Sequence, residues 1–316
     1  MPVQVSVIVP TYNRWHILKE TLNSLSNQTQ PREDYEVVVV DDGSTDGTGE
    51  MLTRVRFDLP LKTVRHGRNR GRAAARNSGI RSASGEFIMF LDDDMTSAPG
   101  LIAAHLRAHE QSKNCAVIGN IRFGLGIKRD ALTRYLSVRG VHRLRPGEKV
   151  PLKCFVTGNS SVRKKHLQEA DLFDETFTAY GGEDLDLGCR LHRIGLDFIY
   201  CPEAVSYHDH LRRFDEICAL MRTYGARSVP ILLRKHPHLI DVLQLHLSSP
   251  LDLSRDSIPL IGKKLLFKLA MNSTCYGVLK GIVSILREVY VPSLAFDYIW
   301  MYNRWKGYRE FLSNCD

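Results

Sequence analysis

The 316-residue chain has no apolar run that approaches the roughly 18–20 residues a membrane span requires. Residues 278–286 come nearest, and Lys280 interrupts them. Its seven cysteines, at 115, 154, 189, 201, 218, 275 and 315, include no Cys-x-x-Cys pair, and their number is odd. That fits free thiols in a reducing compartment better than a disulfide framework. No charged n-region with a long apolar run precedes the first strand-like segment, so no secretory leader is expected and the cytoplasm is the expected location. No Gly-x-Gly-x-x-Gly follows the first strand, which argues against a dehydrogenase. Walker residues and a Gly-x-Ser-x-Gly elbow are also missing. There is no internal repeat and no low-complexity tract.

What is present is an ordinary globular composition with an uneven charge. Hydrophobic residues make up 43% and charged residues 25%, enough to bury one large core or two smaller ones. The net charge of +8 sits mostly in residues 211–316, where 15 Lys and Arg face 9 Asp and Glu. A basic surface attracts nucleic acid, anionic lipid or an acidic substrate. In this last third Leu265, Leu266, Phe267 and Leu269 interleave with Lys263, Lys264 and Lys268, and Trp300, Tyr302, Trp305 and Tyr308 lie near Arg304, Lys306 and Arg309. The pattern suits helices packed on a catalytic domain with lysines outward, or peripheral contact with the inner face of a membrane. No nucleic-acid partner is expected.

The first half alternates strand and helix patterns. Strands are expected at 3–9, 36–40, 61–65 and 87–91, with helices from 17 (Asn13 as N-cap), at 49–55 and at 72–83. Such alternation implies parallel strands joined by right-handed crossovers, with ligands bound beyond the carboxyl ends of the strands. Polar clusters follow three of these strands directly: Thr11-Tyr12-Asn13-Arg14, Asp41-Asp42 and Asp92-Asp93-Asp94. Three polar loops should therefore converge on one sheet edge. Farther on, strands are expected at 116–121, 154–157, 198–200 and 204–207, around a basic loop with Gly124, Gly126, Gly140 and Gly147, and a helix at 183–194. After about 211 the chain reads as helical.

Four groups could carry chemistry. Asp92, Asp93 and Asp94 would repel one another unless a cation sat among them, and Mg²⁺ or Mn²⁺ prefers such oxygen ligands; a solvated acidic turn is the alternative. Asp41-Asp42-Gly43-Ser44-Thr45-Asp46 is either an Asx-rich turn or a carboxylate site for a base or ribose. Gly181 and Gly182 allow close backbone approach, and Glu183 or Asp184 at the following helix start could act as general base or simply complement the helix dipole. His208 is a metal ligand or a surface histidine.

Together these segments resemble the family 2 glycosyltransferases. The resemblance rests on Val7-Ile8-Val9-Pro10-Thr11-Tyr12-Asn13-Arg14, Val39-Val40-Asp41-Asp42-Gly43-Ser44-Thr45-Asp46, and the Ala-rich helix from Asn69 to Gly79. It continues in the strand leading to Asp92-Asp93-Asp94, in Thr157-Gly158-Asn159 and Phe173-Asp174-Glu175, and in Gly182-Glu183-Asp184-Leu185-Asp186-Leu187 with Arg190. It covers about residues 4–210. The resemblance implies an α/β GT-A fold, a Rossmann-like, mostly parallel central sheet flanked by helices, with a helical C-terminal extension. It implies a catalytic domain over 1–215, divided into a nucleotide-sugar half (1–115) and an acceptor half (116–215), then a mostly helical region over 216–316. It also implies an inverting transfer from a nucleotide sugar, most commonly a UDP-sugar, to a hydroxyl of a glycan, a lipid-linked glycan or a natural product. Pro10, Thr11, Tyr12, Arg14, Asp41, Asp42, Arg72, Arg76, Asp92 and Asp93 would then bind the nucleotide sugar. Asp94, Asp92 and His208 would hold Mn²⁺ or Mg²⁺, Asp184 would be the base with Glu183 beside it, and Gly158, Asn159, Gly181 and Gly182 would meet the acceptor. The rival readings are a sugar-nucleotide nucleotidyltransferase and a non-catalytic basic membrane- or nucleic-acid-binding protein. The former normally has a Gly-rich loop after its first strand, where this chain has Pro10-Thr11-Tyr12-Asn13-Arg14.

Overall fold

The structure, a computed structural model, describes residues 3–146 and 148–314; Gly147 and Cys315, named above, lie outside them. The described residues divide into two units. One comprises the described residues up to 127 with 137–178 and 183–211, and the other 128–136, 179–182 and the described residues from 212 on.

The first unit is built on one eight-stranded sheet. Its strands are β1 (Val5–Thr11), β2 (Tyr35–Asp41), β3 (Leu61–Arg65), β4 (Phe87–Leu91), β5 (Met95–Ser97), β6 (Cys115–Phe123), β7 (Asn159–Arg163) and β8 (Asp197–His208), in the order β3-β2-β1-β4-β7-β6-β8-β5. β3, β2, β1 and β4 are parallel, as are β6 and β8, whereas β7 and β5 run antiparallel to their neighbours. The helices in chain order are α1 (Trp15–Leu25), α2 (Thr48–Arg54), α3 (Arg72–Ser82), α4 (Leu101–Gln111), α5 (Ala131–Ser137), α6 (Lys164–Glu169), α7 (Glu183–Arg193), α8 (Phe214–Thr223), α9 (Val229–Lys235), α10 (Leu239–Val242), α11 (Ile258–Ala270), α12 (Ser273–Leu286) and α13 (Ser293–Ser313).

The β-branched runs in β1 and β2 are buried on both faces, as the inner strands of a parallel sheet must be. Side chains alternate across the sheet, so Val7, Val9, Val37 and Val39 meet Leu18 and Leu22 of α1, while Ile8, Val38 and Val40 meet Ala73, Ala75 and Ile80 of α3. Each such burial stabilises the fold by about 1.5–3 kcal/mol. Register then fixes the functional edge. Thr11 lies opposite Asp41, Ile8 opposite Phe90, Leu91 opposite Asn159, and Met95 opposite His208. The polar loops after β1, β2 and β4 therefore emerge on one edge, as expected.

Three local expectations are corrected. Residues 154–157 form no strand; a short 3₁₀ turn covers Leu152–Cys154, and the strand is β7, with the sequence Asn-Ser-Ser-Val-Arg. Its polar side chains can be buried because α4 supplies partners: His105 Nδ1 and His109 Nε2 each lie 2.8 Å from Ser161 Oγ. Burial holds both imidazoles below their ordinary pKa, His105 at about 4 and His109 at about 3, so they are neutral. The segments 198–200 and 204–207 are one strand, β8, whose pairing with β6 shifts register between Ile118 and Asn120. Asn13 is not the N-cap of α1. Arg14 occupies that position, and Asn13, at φ +53°, accepts a hydrogen bond from Thr45 N (2.8 Å) through Oδ1.

In the second unit α13 packs on α8 and on a wide helical turn over Tyr224–Ser228. Tyr135 OH donates to Asp297 Oδ1 (2.8 Å), and Tyr276 stacks on Tyr302 with ring centroids 4.2 Å apart. Among the described residues no single helix is long and apolar enough to cross a membrane; α11 and α12 reach that composition only as a pair, bent by 70°.

Gly79 on α3 tests the sheet–helix packing, because a Cβ there would lie 2.4 Å from Ile8 Cγ2. Alanine would gain about 1 kcal/mol of helix propensity. Overpacking against β1 should outweigh it, for a net loss of about 1–3 kcal/mol in the Gly79→Ala variant, measured by urea unfolding. A stabilised variant would refute this close approach.

Candidate active site

The acidic turn after β4 divides by environment. Asp93 points inward: its Oδ2 accepts from Thr11 Oγ1 (2.7 Å), its Oδ1 from Arg14 (3.1 Å), and its carbonyl from Thr21 Oγ1 (2.8 Å). Burial pushes its carboxyl up to about 6, despite the lowering effect of Arg14 and Thr11. Asp93, expected to touch the nucleotide sugar, thus ties β1 and α1 to the turn. Of its neighbours, Asp92 turns to another partner and Asp94 shares Arg14.

Arg76, in the middle of α3, joins three carboxylates. Its side chain is 2% exposed and lies over the Phe173 ring. It donates to Asp92 Oδ1 (3.0 Å) and Glu183 Oε1 (3.2 Å), and its NH1 lies 3.5 Å from Asp184 Oδ1. Burial opposes its charge, but Asp184, Asp92 and Glu183 outweigh that, so its pKa is raised. Burial would raise the Asp92 carboxyl as well; Arg76 and then Arg72 hold it below the usual carboxylate range. Arg72, about half exposed, lies 3.8 Å from Glu183 Oε1. The other Glu183 oxygen is buried and accepts no hydrogen bond.

Asp184 opens α7, where backbone N–H groups favour a negative charge. Thr157 Oγ1 donates to its Oδ1 (2.6 Å), and Thr157 N approaches Oδ2 at 3.3 Å. Burial and then Glu183 push the Asp184 carboxyl up to about 6, with Arg76 and Thr157 acting in the opposite direction. A carboxylate held in one orientation, partly open to solvent, and titrating near neutrality has the properties of a general base. Thr157 was not singled out by sequence reasoning; its place one residue before Gly158 in a motif already noted was the available signal. Asp186 and Arg190, one turn apart on α7, pair at 2.6 Å and brace the helix itself.

On the nucleotide side Asp41 is buried, with Oδ1 accepting from Ser44 N (2.9 Å). Its Oδ2 is buried without a hydrogen bond and lies 3.3 Å from Arg65 Nε, so that oxygen is ion-paired within the protein. Asp42 is differently committed. It accepts from Arg70 N (3.0 Å) and Gly71 N (2.8 Å), and His66 Nδ1 lies 2.6 Å away. It shapes the loop that starts α3. Pro10 is buried in β1, and Tyr12 is exposed beside it.

Asp94 and His208 are brought together by the β5–β8 pairing, with Asp94 Oδ1 3.8 Å from His208 Nε2. Arg14 holds the other Asp94 oxygen at 3.3 Å. Asp92, expected as a third metal ligand, gives one oxygen to Arg76. Among the described residues no three His, Cys, Asp or Glu side chains gather closely enough to hold a metal. The oxygen and nitrogen of the Asp94–His208 pair suit a divalent cation that takes its remaining ligands from a phosphate.

The acceptor-side residues separate. A Cβ on Gly158 would meet Asp92 Oδ2 at 3.3 Å, so this glycine lies beside the acidic turn. Asn159 does not reach an acceptor. It is wholly buried, its amide donating to Ala204 O and Ser206 Oγ (both 2.9 Å) with Oδ1 2.8 Å from His105 Nε2. Gly181 and Gly182, at φ +75° and +100°, belong to the second unit and directly precede α7 in the chain.

Comparison with known proteins shows the family and the fold. Residues 6–170 match the family model described as glycosyl transferase family 2, and residues 141–213 match one described as the N-terminal domain of galactosyltransferase. The chain is 34% identical over 256 residues to the uncharacterized glycosyltransferase YfnE of Bacillus subtilis, 65% of this chain and 64% of that protein. It is 30% identical over 268 residues to validoxylamine A glucosyltransferase of Streptomyces hygroscopicus subsp. jinggangensis, 76% of this chain and 62% of that protein. The chain thus spans less than two thirds of the length of these relatives. Among solved structures it resembles a mannosyltransferase from Pyrobaculum calidifontis in complex with GDP-Man and Mn²⁺, with a TM-score of 0.66 at 22% identity, covering 100% of this chain and 88% of that one. This likeness is one of fold.

Removing the guanidinium would leave three carboxylates facing one another, with Glu183 buried and Asp92 and Asp184 partly exposed. Arg76→Ala should cost about 3–5 kcal/mol in denaturant unfolding, the range for an uncompensated buried charge. Arg76→Lys should recover only part of that loss, because a compact ammonium cannot reproduce the fork that reaches Asp92 and Glu183 with separate nitrogens. Wild-type stability in the alanine variant would rule out this role.

Proposed function

Because the chain belongs to glycosyl transferase family 2, we propose that it moves a sugar from a nucleotide-sugar donor to an acceptor hydroxyl with inversion at the anomeric carbon, using Asp184 as the base. The observation that carries this reading is Arg76, which holds Asp92 of the turn after β4 and Asp184 of α7 against one buried guanidinium. Donor-side and base carboxylates are thereby fixed relative to each other, as an in-line displacement requires.

In this mechanism Asp184 accepts the acceptor hydroxyl proton as the oxygen attacks the anomeric carbon. The new C–O bond forms while the bond to the nucleoside diphosphate breaks, and the diphosphate leaves with the electron pair. Thr157 keeps Asp184 oriented. Arg72, half exposed beside Glu183, is the side chain suited to the growing negative charge on the leaving group. Asp41, buried at the end of β2 and paired with Arg65, would border the pocket for the base or ribose. A divalent cation, Mn²⁺ or Mg²⁺, would be held by Asp94 and His208 and would supply positive charge at the diphosphate. The fold relative with GDP-Man and Mn²⁺ makes guanosine the first rival to uridine as the base.

Two measurements test this. Calorimetric titration with UDP, GDP and the other nucleoside diphosphates, with and without Mn²⁺, should show metal-dependent binding of one nucleotide that Asp94→Ala removes. Binding of none would overturn the donor site. With the donor known, kcat/KM should rise about tenfold per pH unit up to about 6 and then level off, as Asp184 ionises. Asp184→Asn should lower kcat by about 10³-fold. Its stability should not fall in parallel. The folded-state pKa lies above the ordinary value, so protonation of Asp184 favours the fold below the ordinary pKa, and this support is lost as pH rises through about 6. At pH 7.5 the neutral isostere should therefore unfold no more readily than the wild type.

A further inference from the structure

Twelve of the nineteen large apolar side chains exposed among the described residues lie between 253 and 294. They are arranged in stripes. On α11, Ile258, Leu265 and Leu269 recur at helical spacing, with Leu269 74% exposed and its neighbour Leu266 68% exposed. On α12, Val278, Ile282 and Ile285 occupy positions i, i+4 and i+7, with Ile285 78% exposed. One lysine of α11 is buried along with Phe267. Lys264 is 4% exposed, bound to Asp256 Oδ2 (2.6 Å) and Pro250 O (3.1 Å), while the leucines face outward. Exposed apolar stripes of this kind mark an interaction face.

Charge identifies the occupant. From Ile258 through Leu286 the two helices carry Lys263, Lys264, Lys268 and Lys280 and no acidic residue. Lys264 and Lys280 are neutralised by Asp256 and Asp215. Lys263 and Lys268 are exposed, and neither pairs with a carboxylate among the described residues. A cavity of about 380 Å³ between α11 and α13 is lined by Phe267, Lys268, Met271, Trp305, Arg309 and Leu312 with Ser248 and Ser313, and Trp305 Nε1 is buried without an acceptor. At 13 and 14 residues, α11 and α12 are each about 20 Å long and too short for a hydrocarbon core of about 30 Å.

We infer that the outer faces of α11 and α12 lie on an anionic lipid bilayer, with Leu266, Leu269 and Ile285 inserted among the acyl chains and Lys263 and Lys268 at the phosphates. The apolar stripes supply insertion and the lysines supply lipid preference. This inference is independent of the transfer reaction.

Vesicle flotation of the full chain tests it without any activity readout. The wild type should float with phosphatidylcholine vesicles containing phosphatidylglycerol and much less with phosphatidylcholine alone. Raising salt from about 0.1 M to about 0.5 M should weaken binding without abolishing it. Leu266→Glu/Ile285→Glu, at exposed positions, should lower partitioning at least about tenfold with an unchanged circular dichroism spectrum. Lys263→Gln/Lys268→Gln should remove the anionic preference. Wild-type protein that stays in the soluble fraction with both vesicle types, or floats as well with the glutamates as without, would overturn the inference. So would a wild-type dimer in sedimentation velocity that the glutamates split while no vesicle binding is seen; the face would then belong to a second copy of the chain.

Discussion

The candidate site depends on one buried cation. Arg76 lies inside the first unit and joins three chain segments, α3 itself, the end of β4 through Asp92, and the start of α7 through Glu183 and Asp184. Burying a guanidinium costs several kcal/mol, and so does crowding the buried Glu183 against the carboxylates of Asp92 and Asp184. Neither is tolerable alone, and each makes the other tolerable. The planar fork matters here, because one guanidinium can address carboxylates in different directions, whereas an ammonium offers a compact point charge. The geometry that keeps the charges in place also keeps the two halves of the candidate chemistry in register.

Around that cation the carboxylates acquire different properties from different surroundings. Asp92 faces Arg76 and Arg72 and is held in its charged form. Asp184, more strongly affected by burial and by Glu183, is pushed up to about 6. Such a separation lets one carboxylate stay ionised while its neighbour exchanges a proton near neutral pH. Asp93, also at about 6, is spent on structure, since Thr11, Arg14 and Thr21 enclose it. An acidic triplet that looks uniform in sequence is thus one structural carboxylate between two that face other groups.

Much of the fold was legible because it is written in periodicity. Expected and observed strands coincide at Leu61–Arg65 and Phe87–Leu91, and α3 and α7 begin at the expected residues. The convergence of the loops after β1, β2 and β4 followed from parallel topology alone. What escaped was set by partners distant in the chain. β7 is polar in sequence and buried in fact, because the histidines of α4, some fifty residues away, complete its hydrogen bonds. The same network draws Asn159 into the core, although its motif position suggested contact with an acceptor. Asp42 likewise proved to shape a loop 28 residues on. Local pattern reports which residue types are present; whether a polar side chain serves a ligand or a neighbour is decided by partners that only tertiary structure brings close.

The C-terminal helices show the same limit from the opposite side. Interleaved lysine and leucine in α11 reads naturally as an amphipathic helix with its leucines inward. The structure instead buries Lys264 against Asp256, leaving Leu266 and Leu269 outward. A buried lysine with one carboxylate is at best a modest gain, since desolvation offsets much of the attraction. The inward face also buries Phe267, yet Leu265, Leu266 and Leu269 stay in water. The arrangement becomes intelligible if the environment of the outer face is itself apolar at depth and anionic at its edge. The exposed lysines at 263 and 268 are then the complement of the exposed leucines, and one surface satisfies both.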